Sequence, residues 1–586
     1  MLENIPKNSL QGTTWTKKHS IMDNVHQQSL RALLEFSFTR YQDNPFLYFI
    51  DGAGYTYGEF HAKAYETAAL LSRYGLRKGD MVGLLSQNMP NWGVAYFATA
   101  AFGMISVPML PDFSESEIKH ILKHSEARAL FVSRKLLHKV LPKAMDRLET
   151  VICLDDFSII KGEPLASAAP APLPSEEEIR PDDLAAVIYT SGTTGSSKGV
   201  MLSHRNLCAN LWSTEDARPS FDWDVWLSLL PLSHTLECSM CLLLPMQAGA
   251  SVYYIEKAPT PSILMNALAK VRPTTILSVP LIIEKVYRSA VLPKLTASPL
   301  LRLMHRIPPL RKMMHRKAGK QLFEKFGGRI RFFGIGGARL DPEVERFLLE
   351  ARFPYAIGYG LTETSPLIAA APPEKVRLGS TGPVVKGVEL QLLDKDPKTG
   401  VGEIAVKGDN VTRGYFKNPE ATAAAFTEDG WFKTRDLGCL DRDGWLYIKG
   451  RSSSTIIGPS GENIYPEEVE SVINSHEMVS ESVVTSRKGR LTALVHFDSE
   501  KLKAFLEAKD EFKRTTQEKL EHLKKEILDY VNQKVSKFSR ISEIDPQEKE
   551  FEKTATHKIK RYLYDGSKTK DGKDSKSGKD SKSKER

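Results

Sequence analysis

From Ser29 to Pro111, stretches with apolar residues at helical spacing alternate with short apolar runs such as Met81–Leu85, and Ala129–Val132 and Val151–Leu154 continue the alternation. Strands separated by helices predict a parallel sheet and an α/β fold. Trp92 to Leu110 carries no charge and is long enough to raise a membrane span. Its Gly93, Gly103, Thr99, Ser106 and Pro108 favour a buried helix, WGVAYFATAAF, turning into a strand, ISVPML. The stretch Ala166–Asp183, rich in Pro, Ala and acid, reads as an exposed connection. A second α/β pattern then runs from Leu184 to Gly358, in which Ala185–Tyr189 predicts a buried strand and Met201–Trp212 a helix with Ser203 as N-cap. Short β-rich segments follow over Gly382–Asp409, and a small separate domain with its own βαβ pattern spans Ile464 to about Ile544. Beyond Tyr564 the Ser/Lys/Asp/Gly tail has no apolar residue to bury and predicts disorder.

Composition narrows the class without naming a function. A chain of 586 residues with 41% hydrophobic and 26% charged residues is ordinary globular material, which excludes wholesale disorder, collagen-like repeats and a multi-span membrane protein. The formal charge of +9 suggests a polyanion binder, but Gly566–Arg586 holds eight Lys/Arg against four acids, and the remaining excess is mild for this size. Specific nucleic-acid binding is therefore not expected. Five cysteines show no disulfide-framework spacing. Cys238-x-x-Cys241 is the one pair with a zinc or redox spacing, yet it lies in an apolar run without a second pair, and the expectation is two buried structural thiols. The opening MLENIPKNSL lacks a basic segment followed by an apolar one, so the expected location is the cytoplasm.

Chemistry first becomes visible between the predicted strand and helix of the second block. Thr190-Ser191-Gly192-Thr193-Thr194-Gly195-Ser196-Ser197-Lys198-Gly199 packs six hydroxyls, three glycines and a lysine into one turn. Glycines let backbone N–H groups converge on an anion, hydroxyls donate to phosphate oxygens, and the lysine adds a point charge. The spacing is not that of a Walker A loop, which disfavours a P-loop kinase or GTPase. A solvated linker has no need of a buried strand before it and a capped helix after it.

At these residues the chain resembles the adenylate-forming superfamily of acyl-CoA synthetases, peptide-synthetase adenylation domains and luciferases, whose signature loop is close to YTSGTTGxxKGV. Further strings follow in the family's order: Pro231-Leu232-Ser233-His234, Gly336-Gly337-Ala338, YGLTET at Tyr359–Thr364, Gly402-Glu403-Ile404, Thr434-Arg435-Asp436, Gly450-Arg451, GENIYP at Gly461–Pro466 and Lys553–Arg561. The resemblance covers roughly residues 30 to 565. It implies a large N-terminal adenylation domain over 1–450, built from parallel αβ sheets plus a small β region. A small mobile α+β domain over 451–565 and a basic tail over 566–586 complete the chain.

Residue by residue, the resemblance implies that Thr190, Ser191, Gly192, Thr193, Thr194, Gly195 and Lys198 bind phosphate. Glu363 is the implied Mg2+ ligand, Thr362 donates to the α-phosphate, and Tyr359 and Gly360 border the adenine with Gly336, Gly337 and Ala338. Asp436 accepts from the ribose hydroxyls, and Arg451 reaches ribose or phosphate. His234 falls near the acyl channel, though a lone histidine is commonly structural. Lys558, with Lys553 and Lys560 close by, is the implied catalytic lysine bridging carboxylate and α-phosphate. Three departures stand out: Arg435 replaces the usual glycine of T-G-D, Ser453 and Ser454 replace the polar or charged hinge pair, and His557 replaces the glycine before the lysine.

Between Lys285 and Arg329 twelve Lys/Arg face one acid, Glu324, with Leu300, Leu303, Met304 and Ile307 at helical spacing. A basic amphipathic stretch suits an anionic membrane surface, so peripheral attachment at the inner face is expected through 285–329; a solvated helical face is the alternative. This insertion, with GENIYPEEVE and KTATHKIKRY, looks more like bacterial long-chain acyl-CoA synthetases than peptide-synthetase domains. The implied activity is ligation of a fatty acid to coenzyme A at the expense of ATP, through acyl-AMP. A carrier-protein synthetase, a fatty acyl-AMP ligase and a catalytically reduced binding homologue stay open.

Overall fold

The computed structural model describes residues 29–164, 178–190, 197–256, 260–458, 462–487, 489–507, 515–555 and 558–564. Ser191, Gly192, Thr193, Thr194, Gly195 and the tail 566–586 lie outside the described residues. The chain divides into two units, Met1–Lys449 and Gly450–Arg586.

Fourteen strands build the two main sheets of the large unit: β1 Pro45–Phe49, β2 Gly54–Thr56, β3 Met81–Leu85, β4 Ile105–Met109, β5 Ala129–Val132, β6 Thr150–Cys153, β7 Ile159–Lys161, β8 Leu184–Thr190, β9 Lys198–Ser203, β10 Val225–Ser228, β11 Ser251–Tyr254, β12 Thr275–Ser278, β13 Phe332–Ile335 and β14 Tyr355–Ile357. One sheet runs in the order β7-β6-β5-β3-β4-β8-β9 and the other β14-β13-β12-β10-β11-β1-β2. Pairing is parallel except at β6–β7, β8–β9 and β1–β2. Every residue of β3, β4, β5 and β6 is buried, which accounts for their uninterrupted apolar runs: helices cover both faces of a parallel sheet.

Most of the Pro- and acid-rich connection at 166–183 lies outside the described residues, and the two α/β blocks of the sequence do not correspond to one sheet each, because β1 pairs with β11 in the second while β8 pairs with β4 in the first. The chain therefore interleaves them. One expectation needs correction: residues after the hydroxyl-rich loop do not enter a helix directly, since Lys198–Ser203 is a strand antiparallel to β8 and the helix starts at His204. Ser203 is its N-cap, with a capping box closed through Asn206.

Trp92–Leu110 forms the buried helix Pro90–Ala100 and strand β4, and among the described residues no helix is long and apolar enough to cross a membrane. Cys238 and Cys241 are buried, and burial pushes the Cys238 thiol up to about 12, which suits neither zinc nor thiol exchange. A five-stranded sheet over Gly382–Arg451 completes the large unit and runs into the unit boundary.

In the small unit, Val479–Arg487 and Arg490–Phe497 pair antiparallel, and Glu543–Pro546 adds in parallel to the second. Helices Pro466–Asn474 and Thr516–Lys534 cover this sheet through Val469, Ile473, Leu523, Ile527 and Val531.

Candidate active site

Several candidate residues sit where parallel strands end. Strands β10, β12, β13 and β14 are neighbours pointing the same way, and ligands of open α/β sheets bind beyond the carboxyl ends of such strands. After β10 comes the PLSH turn. Asn88 fixes it, accepting from the Leu232 N–H at 2.8 Å while its amide donates to the Leu230 carbonyl at 2.6 Å and the Ser228 hydroxyl at 3.0 Å. His234 is half-buried and caps the short helix Thr235–Cys238, its Nδ1 accepting from the Leu236 N–H at 3.2 Å.

After β13 the Gly336 N–H donates to the Ser278 carbonyl at 3.1 Å, and Gly337 turns with φ +87°. A Cβ at Gly336 would lie 3.2 Å from Leu236 Cδ2 and 3.8 Å from the Gly358 carbonyl. The PLSH turn, the Gly336-Gly337-Ala338 turn and the start of YGLTET thus meet. After β14, Tyr359-Gly360 pairs antiparallel with Leu367–Ala369. The approach is close enough that any Cβ at Gly360 would collide with the Pro366 carbonyl.

Hydrogen bonds between distant parts of the sequence tie YGLTET to the phosphate-loop hairpin. Thr190 pairs with Lys198 at the base of the loop. From β9, Met201 receives the Thr412 hydroxyl on its carbonyl at 2.6 Å, and the Gly199 carbonyl accepts from the Phe416 N–H at 2.7 Å. Thr412 in turn donates its N–H to the Glu363 carbonyl at 2.7 Å. The Tyr415 hydroxyl then donates to Glu363 Oε1 at 2.9 Å, while the Lys198 ammonium lies 5.1 Å from the centre of the Tyr415 ring. One tyrosine thereby joins the candidate phosphate lysine to the candidate metal carboxylate. The cation rests on the ring's negative face, and Glu363 is oriented at its neighbour's hydroxyl.

The same pattern of a tyrosine hydroxyl on a carboxylate recurs where the Tyr359 hydroxyl donates to Asp436 Oδ2 at 2.9 Å and the Asp436 N–H donates to Thr434 Oγ1 at 3.1 Å. Asp436 is nearly buried, whereas Arg435 beside it is exposed and holds φ +62°, the left-handed region where glycine is unstrained. Thr362 is half-buried next to Glu363.

The structure therefore brings together Lys198, Thr362, Glu363, Tyr359 and Asp436, with Gly336 and the His234 turn bordering them through Leu236 and Gly358. Sequence reasoning missed Tyr415, Thr412, Asn410 and Asn210. Asn410 donates to the Thr364 and Leu367 carbonyls, both at 2.9 Å, and Asn210 accepts from the Leu367 N–H at 2.9 Å. No spacing marks such residues, since each acts on a partner far along the chain. Glu237 was also missed: it is wholly buried beside the PLSH turn, accepts from Ser228 Oγ at 2.6 Å, and is pushed up to about 7 by burial.

The other candidates belong to the small unit. Arg451 ends the strand Trp445–Arg451, and Ser453 is exposed in the single turn Ser452–Ser454 that follows. Lys558 is exposed on a tight return in which Lys553 bridges Ile559 and the Thr554 N–H donates to the Lys558 carbonyl at 2.8 Å. Phe551 anchors one end against Val483 and Leu494, and Arg561 anchors the other by pairing with the buried Glu470. Lys553 is paired with Glu481, and Lys560 lies 3.8 Å from Glu552.

A model of the AMP-binding enzyme family matches residues 34–416. The chain belongs to that family. A model of the AMP-binding enzyme C-terminal domain matches residues 453–564 of this adenylate-forming enzyme. A 4-coumarate–CoA ligase of Oryza sativa subsp. japonica is 30% identical over 464 residues, covering 76% of this chain and 77% of its own length. A long-chain-fatty-acid–CoA ligase of Mycobacterium bovis is 31% identical over 489 residues, covering 75% of this chain and 76% of its own. Among solved structures, the o-succinylbenzoate–CoA synthetase of Bacillus subtilis with its acyl-adenylate intermediate superposes with a TM-score of 0.71 at 25% identity, covering 93% of this chain and 99% of that one. The same synthetase with ATP and a magnesium ion also gives 0.71 at 25% identity, over 90% of this chain and 98% of that one.

Proposed function

We propose that this adenylate-forming enzyme is an AMP-forming ligase that joins a long-chain fatty acid to coenzyme A. In the first half-reaction a carboxylate oxygen bonds to the α-phosphorus of ATP as the bond to the bridging oxygen breaks and pyrophosphate leaves. In the second, the coenzyme A sulfur bonds to the acyl carbon, the bond to AMP breaks, and the thiol proton passes to solvent. Bringing a carboxylate to a triphosphate is opposed by charge, so most of the catalysis is positioning and neutralisation.

Within this reading Lys198 and the loop residues Thr190, Ser191, Gly192, Thr193, Thr194 and Gly195 hold phosphate. Tyr359, Gly360, Gly336, Gly337 and Ala338 border the base, Asp436 takes the ribose hydroxyls, and Arg451 assists from the small unit. Thr362 donates to the α-phosphate and His234 lies toward the acyl carboxylate. Lys558 is the lysine of the first step; Lys553, engaged by Glu481, is the poorer candidate. Ser453 is the hinge. Glu363, a half-buried oxygen donor oriented by Tyr415, fits Mg2+, which takes one or two carboxylates and fills its shell with phosphate and water. When bound, the ion supplies neutralisation of the triphosphate charge.

The observation that supports the reading best is the Lys198–Tyr415–Glu363 unit beside the base of the hydroxyl loop. The names of the relatives split the acid between fatty and aromatic classes, and the chain's resemblance to long-chain synthetases through residues 285–329 favours the fatty one. Incubation with ATP, magnesium and coenzyme A, offering palmitate in one arm and 4-coumarate in the other, tests it by AMP release. AMP with palmitate supports the proposal; AMP only with 4-coumarate reassigns the acid; AMP with palmitate in the absence of thioester reassigns the acceptor. No AMP with any acid overturns it.

A further inference from the structure

We propose that the paired helices Pro299–Arg306 and Pro308–Lys325 form a docking face for an anionic lipid bilayer. This rests on surface chemistry rather than on the catalytic reading. Helix Pro299–Arg306 buries none of its residues completely, and Leu300 and Leu303 are 66% and 57% exposed. Ile307, the extended residue between the two helices, is also exposed, as is Met313 on the second helix. Leu300 and Leu303, three residues apart on one helix, are the most exposed leucines among the described residues, and a purely solvated face would carry polar side chains there.

Charge then selects the partner. Of the twelve Lys/Arg in this stretch, Arg288 pairs with Asp341 and Arg311 with Glu350; the other ten form no ion pair among the described residues, and Glu324 is the single acid. Arg302 and Arg306 sit on the first helix, and Arg316, Lys317 and Lys320 form one face of the second together with Met313. The face is fixed, not fluttering. Gly319 brings the second helix so close to the helix Pro342–Ala351 that a Cβ there would lie 2.5 Å from that of Ala351, and the rings of His305 and His315 meet at 2.9 Å across the helix pair. An apolar ridge flanked by unpaired cations is the pattern of a helix lying in a lipid interface, whereas a nucleic acid has no use for the leucines.

Flotation of the full chain with phosphatidylcholine vesicles, with and without phosphatidylglycerol, tests the proposal. Wild type should float with the anionic vesicles only, and raised salt should release it. The variant Lys312→Gln/Arg316→Gln/Lys317→Gln/Lys320→Gln should lose up to several hundredfold in partitioning, given roughly fivefold per basic side chain. Leu300→Ser/Leu303→Ser should lose several-fold while keeping its melting temperature. Flotation of both variants like wild type would overturn the assignment and move the contact to another basic segment such as the lysine-rich end. Equal binding to neutral vesicles would overturn the role of charge. Retention on duplex DNA that exceeds vesicle binding, with the leucine variant unchanged, would replace the bilayer by a polyanion.

Discussion

The candidate residues of the large unit and the Lys558 segment of the small unit are held in place by opposite means. In the large unit several of the candidates and their supports are locked by partners far along the chain: Thr412 to Met201, Asn210 to Leu367, Tyr415 to Glu363, Tyr359 to Asp436. The side chains are fixed before any ligand arrives, which is what charge neutralisation of a triphosphate requires. Around Lys558 the anchoring contacts named above stay within its own unit. A short return closes on Thr554, and Phe551 and Arg561 anchor its two ends to their own unit. Such a segment can be carried as a rigid piece with its unit. On the proposed function this is a division of labour in which one unit stores geometry and the other supplies the lysine of the first step.

The largest effect should come from removing that charge. Lys558→Ala should lower acid-dependent ATP–pyrophosphate exchange by roughly a hundredfold or more, while preformed acyl-adenylate and coenzyme A still react nearly as in wild type. Equal loss of both steps would erase the division. Glu237 sharpens the other side. Burial raises its carboxyl from 4.5 to about 7, so it is neutral in the folded state under acidic conditions. A raised folded value means its contribution is complete below about 4.5 and is lost as pH rises through about 7. Glu237→Gln should therefore flatten the decline in stability between about pH 5 and pH 8, by at most about 3 kcal/mol, as read from denaturant midpoints. Glu345, also raised to about 7 by burial, will leave some slope behind. An unchanged profile would mean that the Glu237 site is wetter than its burial indicates.

Next in size is Tyr415→Phe, which removes one bond to Glu363 while keeping the ring under Lys198. A loss of about 1 to 1.5 kcal/mol, roughly tenfold in kcat/KM, is expected together with a raised magnesium requirement. Unaltered magnesium dependence would break the link between Tyr415 and the proposed metal role of Glu363. The smallest effect belongs to Arg435→Gly. Relief of the left-handed backbone gains about 1 kcal/mol, and the added freedom of the unfolded glycine removes much of it, so the melting temperature should rise slightly or stay level. A clear fall would show that the Arg435 side chain contributes more than its backbone strain costs.

Most of the architecture could be read from residue patterns, and the misreadings have physical causes. Parallel strands buried on both faces announce themselves as apolar runs, hence Met81–Leu85 and Ala129–Val132. The strand after the phosphate loop was taken into the helix because MLSHRNLCANLW reads as one apolar stretch. The capping box at Ser203 and Asn206 and the alternation of buried Val200, half-buried Met201 and buried Leu202 separate the two. The interleaving of the sheets was invisible, since a Pro-rich connection marks an exposed path and carries no information on which sheet the next strand joins. At the site, YGLTET and the hydroxyl loop were recognisable because their spacing is local. Tyr415 and Asn410 were not, because their partners lie 52 and 46 residues away.

The crowding of Gly360 against the Pro366 carbonyl has a practical corollary for anyone wishing to redesign the enzyme. Main chain presses on main chain at that point, so no side chain can be added there without pulling apart the short ribbon that also carries Thr362 and Glu363. On the proposed function, altered nucleotide choice therefore has to be engineered elsewhere, leaving the ribbon itself untouched.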